Sequence, residues 1–379
     1  MPDDARAAAT RLAVDGRVLD DRYHGIGRVT AALLTELGAL AGEADTPQVT
    51  VFLRRDQRSK RFDIEALTHG SGHATAVFDH SLSGLSQFVA WPRALKAVGA
   101  DVALFPYNLS AALSGRARRF TVVHDCIIEE SRAYSIDQRT RLLYMALTAV
   151  VVRRNRVLTP SLASAAAVQR YYRVTVPPGD VVTWGVDPSF ARARDRTTQV
   201  DGRPIPERYL LHVGARRPHK NVGVLVQALE HLPPDVHLVL VGTVDGRFPD
   251  HVGELARAAG VQDRVVHLPF VAETDLLGLY AGALAFTYPS LVEGFGLPLL
   301  EAMAAGTPVV ASDIPVFREL ARDAAVLVDP RDPRAWAAAV TALGDPGRRD
   351  TLVERGRAVA AEATWARTTR ALVRILTSA

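Results

Sequence analysis

A chain of 379 residues is too long for one ordinary core and fits two domains of roughly 150–200 residues each. Its 48% hydrophobic and 23% charged residues, 27 Gly and 22 Pro, with no long biased tract, exclude a disordered or fibrous protein. The single cysteine, Cys126, excludes an internal disulfide and any thiolate metal cluster, and a net charge of +4 favours anionic ligands without asking for nucleic acid.

The opening residues, MPDDARAAATRLAVDG, carry neither a basic n-region nor a long apolar run. No later stretch offers about 18 uninterrupted apolar residues, so the expected address is the cytoplasm. Apolar β-branched runs alternate with stretches of helical period, the pattern of parallel sheets covered by helices, and the fold class is α/β. In the first half, strands are expected near Arg11–Val14, Val49–Leu53, Val102–Phe105, Thr121–Val123, Val157–Thr159 and Val181–Thr183. Gly25-Ile-Gly27-Arg28 follows the first of these; it lacks the third glycine and the downstream acid of a dinucleotide fingerprint and by itself reads as a turn. His124 ends the run Phe120–His124 and leaves the carboxyl end of a buried strand, where a lone histidine is more often structural. The longest helix expected is Asp137–Val152. Its apolar part, Leu142–Val152, is too short to span a bilayer, and Arg153, Arg154 and Arg156 follow it, so it reads as a packed helix with a cationic end rather than a membrane-docking face.

Between Pro188 and Pro206 charges, Gly and Pro occur without periodicity, which places a linker at 188–207 between a first domain, 1–187, and a second, 208–363. The second alternates regularly, with strands near Tyr209–Val213, Val236–Val241, Arg264–Leu268, Leu284–Tyr288, Pro308–Ala311 and Ala325–Val328. In a doubly wound sheet ligands bind at the carboxyl ends of the strands, so the loops after Val213, Val241, Leu268 and Tyr288 line the edge to search. The last helix, near Trp365–Thr377, is set off by a break at Ala363–Thr364, and 364–379 is expected to pack back on the first domain.

Two of those loops carry chemistry. Pro289-Ser-Leu-Val-Glu293-Gly-Phe-Gly-Leu-Pro298-Leu-Leu-Glu301 follows a strand and opens a helix, its glycines allowing close backbone approach and Pro298 suiting the first turn, so free N–H groups and a positive dipole end face the ligand edge. Glu293 in the loop and Glu301 in the first turns suit hydroxyl donors such as sugars and ribose, although acidic residues near a helix start also serve simply to complement the dipole. The second is Gly214-Ala-Arg216-Arg217-Pro-His-Lys220-Asn221. Only Lys60, Lys96 and Lys220 are lysines in this chain, and a compact ammonium placed among arginines at a helix start is an unusual choice.

Together with Gly25-Ile-Gly-Arg28, His124-Asp125, Trp184-Gly-Val-Asp187 and Pro269-Phe-Val271, these elements resemble the retaining glycosyltransferases of family 4, whose E-x7-E element matches Glu293 to Glu301 in full. The resemblance covers nearly the whole chain. It implies a GT-B fold, two Rossmann-like doubly wound domains facing a central cleft, a nucleotide-diphospho-sugar donor, and an acceptor that is a sugar, glycan, lipid or small metabolite. It implies no cofactor and no nucleic acid, and leaves peripheral membrane contact open. By the same resemblance His124, Glu293 and Lys220 form the catalytic set. Glu293 contacts the transferred sugar's hydroxyls, the backbone of Gly294, Phe295, Gly296 and Leu297 binds sugar and phosphates, and Glu301 holds the ribose. Lys220 with Arg216 or Arg217 grips the diphosphate, main-chain groups near Phe270 and Val271 select the base, and Gly25, with Gly27, faces the donor phosphate and the acceptor. His124 touches the donor sugar without serving as general base, because the leaving phosphate takes the acceptor's proton.

Diphosphate gathers negative charge as the glycosidic bond breaks, and fixed cations aimed at it favour the transition state over the ground state. No DxD-like pair or His/Cys cluster has ligand spacing, so the expected site is metal-free. Relatives often carry Arg at the places of Ala215 and His219 and Asn at that of Trp184, which leaves open which arginine grips phosphate. The rival classes are a nucleotide-sugar 2-epimerase of the same fold, marked by donor consumption without acceptor, and a two-lobed sugar-binding protein, marked by binding of free sugar without nucleotide.

Overall fold

The computed structural model describes residues 9–378 apart from 22, 23, 44, 83, 136 and 194 and the side chain of His24; the first eight residues of the segment read for a leader lie outside it. The chain forms two compact units. One comprises residues up to 125 with 142–184 and 365 onward, and the other comprises 126–141 and 185–364.

The first unit is built on β1 (Arg11–Asp15), β2 (Gln48–Leu53), β3 (Ala74–Val77), β4 (Val102–Phe105), β5 (Arg118–Val122) and β6 (Arg156–Leu158). They lie in the order β3-β2-β1-β4-β5-β6, all parallel. β4 is buried at every position, as befits a central strand covered on both faces. β3 is an addition to the expected strands: a short edge strand with three of four positions exposed, it has no apolar run to announce it. Val181–Thr183, expected as a strand, forms only an isolated bridge between Thr159 and Val181. Gly25–Arg28, read as a turn, lies instead inside the helix His24–Ala39, because Val29, Leu33, Leu34 and Leu37 bury one face at helical spacing and carry the helix back through the glycines.

The helix Gln138–Arg154 forms close to its expected bounds, burying Thr148, Val151 and Val152 and leaving Leu142 and Leu143 exposed. No helix among the described residues is long and apolar enough to cross a membrane. The closing helix, Trp365–Thr377, belongs to this first unit and buries Thr368, Thr369, Leu372, Val373 and Leu376. Arg118 donates to the Leu376 carbonyl at 2.8 Å, and the Trp365 ring stacks on Trp184 with centroids 6.3 Å apart.

The second unit opens with the stretch that reads as a linker. Asp187 caps a short helix, Pro188–Arg192, whose Phe190 is fully buried with its ring 5.5 Å from that of Tyr280. A two-stranded hairpin follows, β7 (Gln199–Val200) and β8 (Arg203–Pro204), too short to show any period. Its main sheet contains β9 (Arg208–Val213), β10 (Val236–Val241), β11 (Val265–Leu268), β12 (Ala285–Tyr288), β13 (Val309–Ser312) and β14 (Val326–Val328). Each sits where an apolar run predicts it, in the order β11-β10-β9-β12-β13-β14 and all parallel. The strand order therefore reverses between β1 and β4 in one unit and between β9 and β12 in the other. At such a reversal successive connections leave on opposite faces of the sheet and open a crevice beyond the carboxyl ends.

Candidate active site

In the second unit the crevice begins where β9 and β12 stop pairing. Their register runs only through Leu210 with Ala285 and Leu211 with Phe286. Beyond it side chains take over: the Thr287 hydroxyl donates to the Leu211 carbonyl at 3.1 Å, and His212 Nδ1 lies 3.1 Å from the Thr287 carbonyl. The loop after β9 turns at Gly214, φ +155°, and the loop after β10 at Gly242, φ +131°. A Cβ on Gly242 would fall 2.4 Å from the Gly214 carbonyl oxygen, so the two loops touch backbone to backbone and only glycine fits.

Pro218–Lys220 then forms one 3-10 turn, ended by Asn221 in the left-handed region at φ +52°. The Asn221 amide donates to the Pro289 carbonyl at 3.2 Å and to the Pro330 carbonyl at 2.6 Å, and the Leu291 N–H donates to the His219 carbonyl at 2.8 Å. Two of these bonds hold the lysine-bearing loop against the loop that carries Glu293, and the third ties it to the loop after β14.

The result is a close pair. Lys220 Nζ donates to Glu293 Oε1 at 2.6 Å and to the Tyr288 hydroxyl at 3.2 Å, and the Ser290 hydroxyl donates to the same Glu293 oxygen at 2.7 Å. The paired side chains are only 14% and 10% exposed. Burial by itself lowers a lysine, but the Glu293 charge and the hydrogen bonds to Glu293 and Tyr288 outweigh it and hold Lys220 above its ordinary value. Burial likewise favours protonated Glu293, and the charge of Lys220 with the hydrogen bonds from Lys220 and Ser290 reverse that and keep it below the usual carboxylate range. The Tyr288 phenol is pushed up by burial and by Glu293. His212 and His219 are pushed down to about 4, chiefly by burial, and so remain neutral beside the ammonium.

Both candidate arginines are engaged by carboxylates of the loop after β10. Arg216 lies 3.3 Å from Asp250 and donates to His267 Nδ1 at 3.2 Å. His267 Nε2 sits 2.8 Å from the Gly242 carbonyl, so Nε2 carries the ring's proton and Nδ1 is left to accept. Arg217 lies 2.9 Å from Asp245, which Arg247 also grips at 2.6 Å. Hydrogen bonds from Arg247, with the charges of Arg217 and Arg247, outweigh partial burial and bring the Asp245 carboxyl down to about 2.

The loop after Glu293 has buried Gly294, Phe295 and Gly296. Gly296, at φ +130°, precedes the helix Leu297–Ala305, which carries Pro298 in its first turn and which no side chain among the described residues caps. Pro298 has no N–H, and the Leu299 and Leu300 N–H groups donate to the Gly296 carbonyl, so within the first turn it is the Leu297 N–H that suits an anion. Glu301 is buried in this helix and accepts from the Tyr280 hydroxyl at 2.9 Å. Phe270, on the loop after β11, is 62% exposed, and Val271 beside it is half-buried.

In the first unit, Gly25 is exposed in the first turn of its helix, with open space where a Cβ would stand. Gly27 has a packing reason instead: a Cβ there would come within 2.8 Å of the Phe62 ring. His124 is half-buried at the end of β5, with Nε2 donating to the Pro106 carbonyl at 2.8 Å and its ring 5.7 Å from Trp184. Burial holds it at about 4, against the opposing effect of that bond. The structure thus brings Lys220, Glu293 and the start of the Leu297 helix to one crevice, whereas Arg216 and Arg217 are turned to Asp250 and Asp245. Sequence reasoning passed over Tyr288, Ser290, His212, Asp245 and Asp250, since each acts through contacts that spacing does not reveal. Asn221 could have been found from its tolerance of left-handed backbone.

Residues 194–359 match the family model described as glycosyl transferases group 1. O-antigen chain mannosyltransferase B of Escherichia coli is 30% identical over 261 residues, which are 65% of this chain and 67% of that protein. A D-inositol 3-phosphate glycosyltransferase of Xylanimonas cellulosilytica is 42% identical over 199 residues, 50% of this chain and 47% of that one. The chain spans about half the length of this relative and of several other curated proteins it matches. Among solved structures, sucrose-phosphate synthase from Thermosynechococcus elongatus aligns with 97% of this chain and 98% of its own at a TM-score of 0.72 and 20% identity. Anabaena HepE in complex with UDP and glucose aligns with 98% and 100% at a TM-score of 0.68 and 20% identity. At these identities the likeness establishes the fold, and the two doubly wound parallel sheets expected of a GT-B protein are both present.

Proposed function

Since the chain belongs to the group 1 glycosyl transferases, we propose that it moves a sugar from a nucleotide-diphospho-sugar to an acceptor hydroxyl, with retention at the anomeric carbon and without a metal ion. The observation that carries this reading is the Lys220–Glu293 pair, bonded at 2.6 Å in the crevice between β9 and β12 and beside an uncapped helix start. A cation and a carboxylate held together suit a ligand with a phosphate at one end and hydroxyls at the other.

In this reading Lys220, Arg216 or Arg217, and the backbone of Gly294–Leu297 receive the diphosphate. Glu293 receives the sugar's hydroxyls and Glu301 the ribose. The base lies by Phe270 and Val271, and His124 and Gly25 are the first unit's contributions toward the sugar and the phosphate. The bond from the anomeric carbon to the diphosphate oxygen breaks, the acceptor oxygen bonds to the same face of that carbon, and the acceptor's proton passes to the departing diphosphate. Lys220 neutralises charge where it gathers as the bond breaks, so the transition state gains most. The relatives' names, and the UDP and glucose held by HepE, support a nucleotide-linked donor and a hydroxylated acceptor.

The test is a thermal-shift series with UDP, GDP, dTDP and ADP, each with a chelator, followed by donor turnover and NMR of the anomeric configuration of the product. Stabilisation by one diphosphate with chelator present, and a product of unchanged anomeric configuration, are the expected results. Dependence on a divalent ion would remove the metal-free part, and an inverted product the retaining part.

A further inference from the structure

His212 belongs to the crevice but has no part in the chemistry above. It lies near the end of β9 and is fully buried. Its Nδ1 faces the Thr287 carbonyl at 3.1 Å, so Nδ1 carries the proton and Nε2 presents a lone pair. That Nε2 is buried and makes no hydrogen bond with any described residue, a costly arrangement for a polar atom unless something donates to it.

The surroundings say what the donor is. A Cβ on Gly214 would lie 3.7 Å from His212 Nε2, 3.7 Å from Lys220 Cε and 3.9 Å from Lys220 Nζ, so the imidazole and the ammonium border one gap. Gly214, at φ +155°, keeps that gap open through a backbone conformation that side-chain-bearing residues rarely adopt. The charged groups acting on the ring are Lys220, Glu293 and Arg216, and burial holds it neutral, at about 4. Tyr288 lies against it with ring centroids 6.2 Å apart. A neutral lone pair attracts an ammonium where an imidazolium would repel it.

Lys220 has three N–H donors and gives two of them here, to Glu293 and Tyr288. Glu293 Oε1 already accepts from both Lys220 and Ser290, so a diphosphate that engages Lys220 competes with that oxygen for the ammonium. We infer that His212 is a positioning residue for Lys220: its Nε2 accepts an ammonium N–H, across the gap that Gly214 leaves, when a diphosphate draws Lys220 away from Glu293. This rests on the donor site proposed above.

The experiment compares the full chain with His212→Asn and His212→Gln in titrations with the nucleoside diphosphate that stabilises the wild type most. Asn keeps an amide N–H for the Thr287 carbonyl and removes the distal acceptor; Gln restores a polar atom near the Nε2 position. His212→Asn should melt near the wild-type temperature yet bind about tenfold more weakly, the worth of one hydrogen bond to a charged group, with Gln recovering part of the loss. In wild-type protein, the 15N resonance of His212 Nε2 should start at the unprotonated position and move upfield on saturation with nucleotide at constant pH. Equal affinity in His212→Asn, or an Nε2 resonance that saturation does not move, overturns the inference while the donor site stands. A wild type that binds no nucleoside diphosphate overturns both.

Discussion

Lys220 and Glu293, 73 positions apart, hold each other at 2.6 Å in a place that admits little water, so each is the reason the other can remain charged. Removing one member therefore leaves a stranded charge. Lys220→Ala should cost about 3 kcal/mol of unfolding free energy, the usual penalty for breaking a buried pair from one side, and should weaken nucleoside diphosphate binding. The double variant Lys220→Ala/Glu293→Gln should regain part of that stability in urea unfolding. A double variant no more stable than Lys220→Ala would mean that the pair is not energetically coupled.

Glu293→Gln alone separates binding from chemistry. The amide still accepts from Lys220 but loses the charge, so nucleotide affinity should stay within a few-fold of wild type while turnover falls by about a hundredfold, as when a group acting mainly in the transition state is removed. Initial-rate measurements alongside nucleotide titrations check this. Unchanged turnover would take Glu293 out of the catalytic set.

The two arginines differ in a way that ranks them. The Arg216 side chain is 11% exposed and that of Arg217 44%, and a desolvated cation is worth more to an anion than a solvated one. Arg216→Ala should accordingly weaken nucleoside diphosphate binding about tenfold and Arg217→Ala by less than about twofold. Asp250→Asn, which releases Arg216, should tighten binding. The same titration reads all three, and the reverse order for the arginines would assign the diphosphate to Arg217.

Acid stability follows from the buried histidines. Burial lowers His212 and His219 from 6.5 to about 4, so between those values the unfolded chain binds protons that the folded chain refuses, and stability rises with pH across that window. The contribution is complete above pH 6.5 and is lost as pH falls toward 4, each residue adding at most about 3 kcal/mol. His219→Gln should flatten the slope of unfolding free energy between pH about 7 and about 5, measured by urea unfolding. An unaltered slope would mean that His219 titrates normally in the folded chain.

The second sheet could be read almost strand by strand, because β9, β10 and β12 are apolar runs covered on both faces, and such runs need no partner to be recognised. β3 could not, since an exposed edge strand bears no such mark. The glycines at 25 and 27 imitated a turn, and only the apolar stripe behind them showed a helix. Within the candidate site, Lys220 stood out by rarity and Glu293 by its loop. The carboxylates that occupy Arg216 and Arg217 come from a loop about thirty residues further on, and such through-space pairing leaves no trace in spacing. Arg17 is a similar case: fully buried and paired with Asp15 at 2.7 Å, it looks from the sequence like any surface arginine.

The closing helix has a bearing on how the chain assembles during synthesis. Residues 365–377 leave the ribosome after every strand of the second unit, yet Leu372 and Leu376 are buried as part of the first. The unit translated first is thus the last to be completed, and its surface under that helix stays bare while some 180 intervening residues, 185–364, are being made. That interval is when the nascent protein most needs shielding from aggregation.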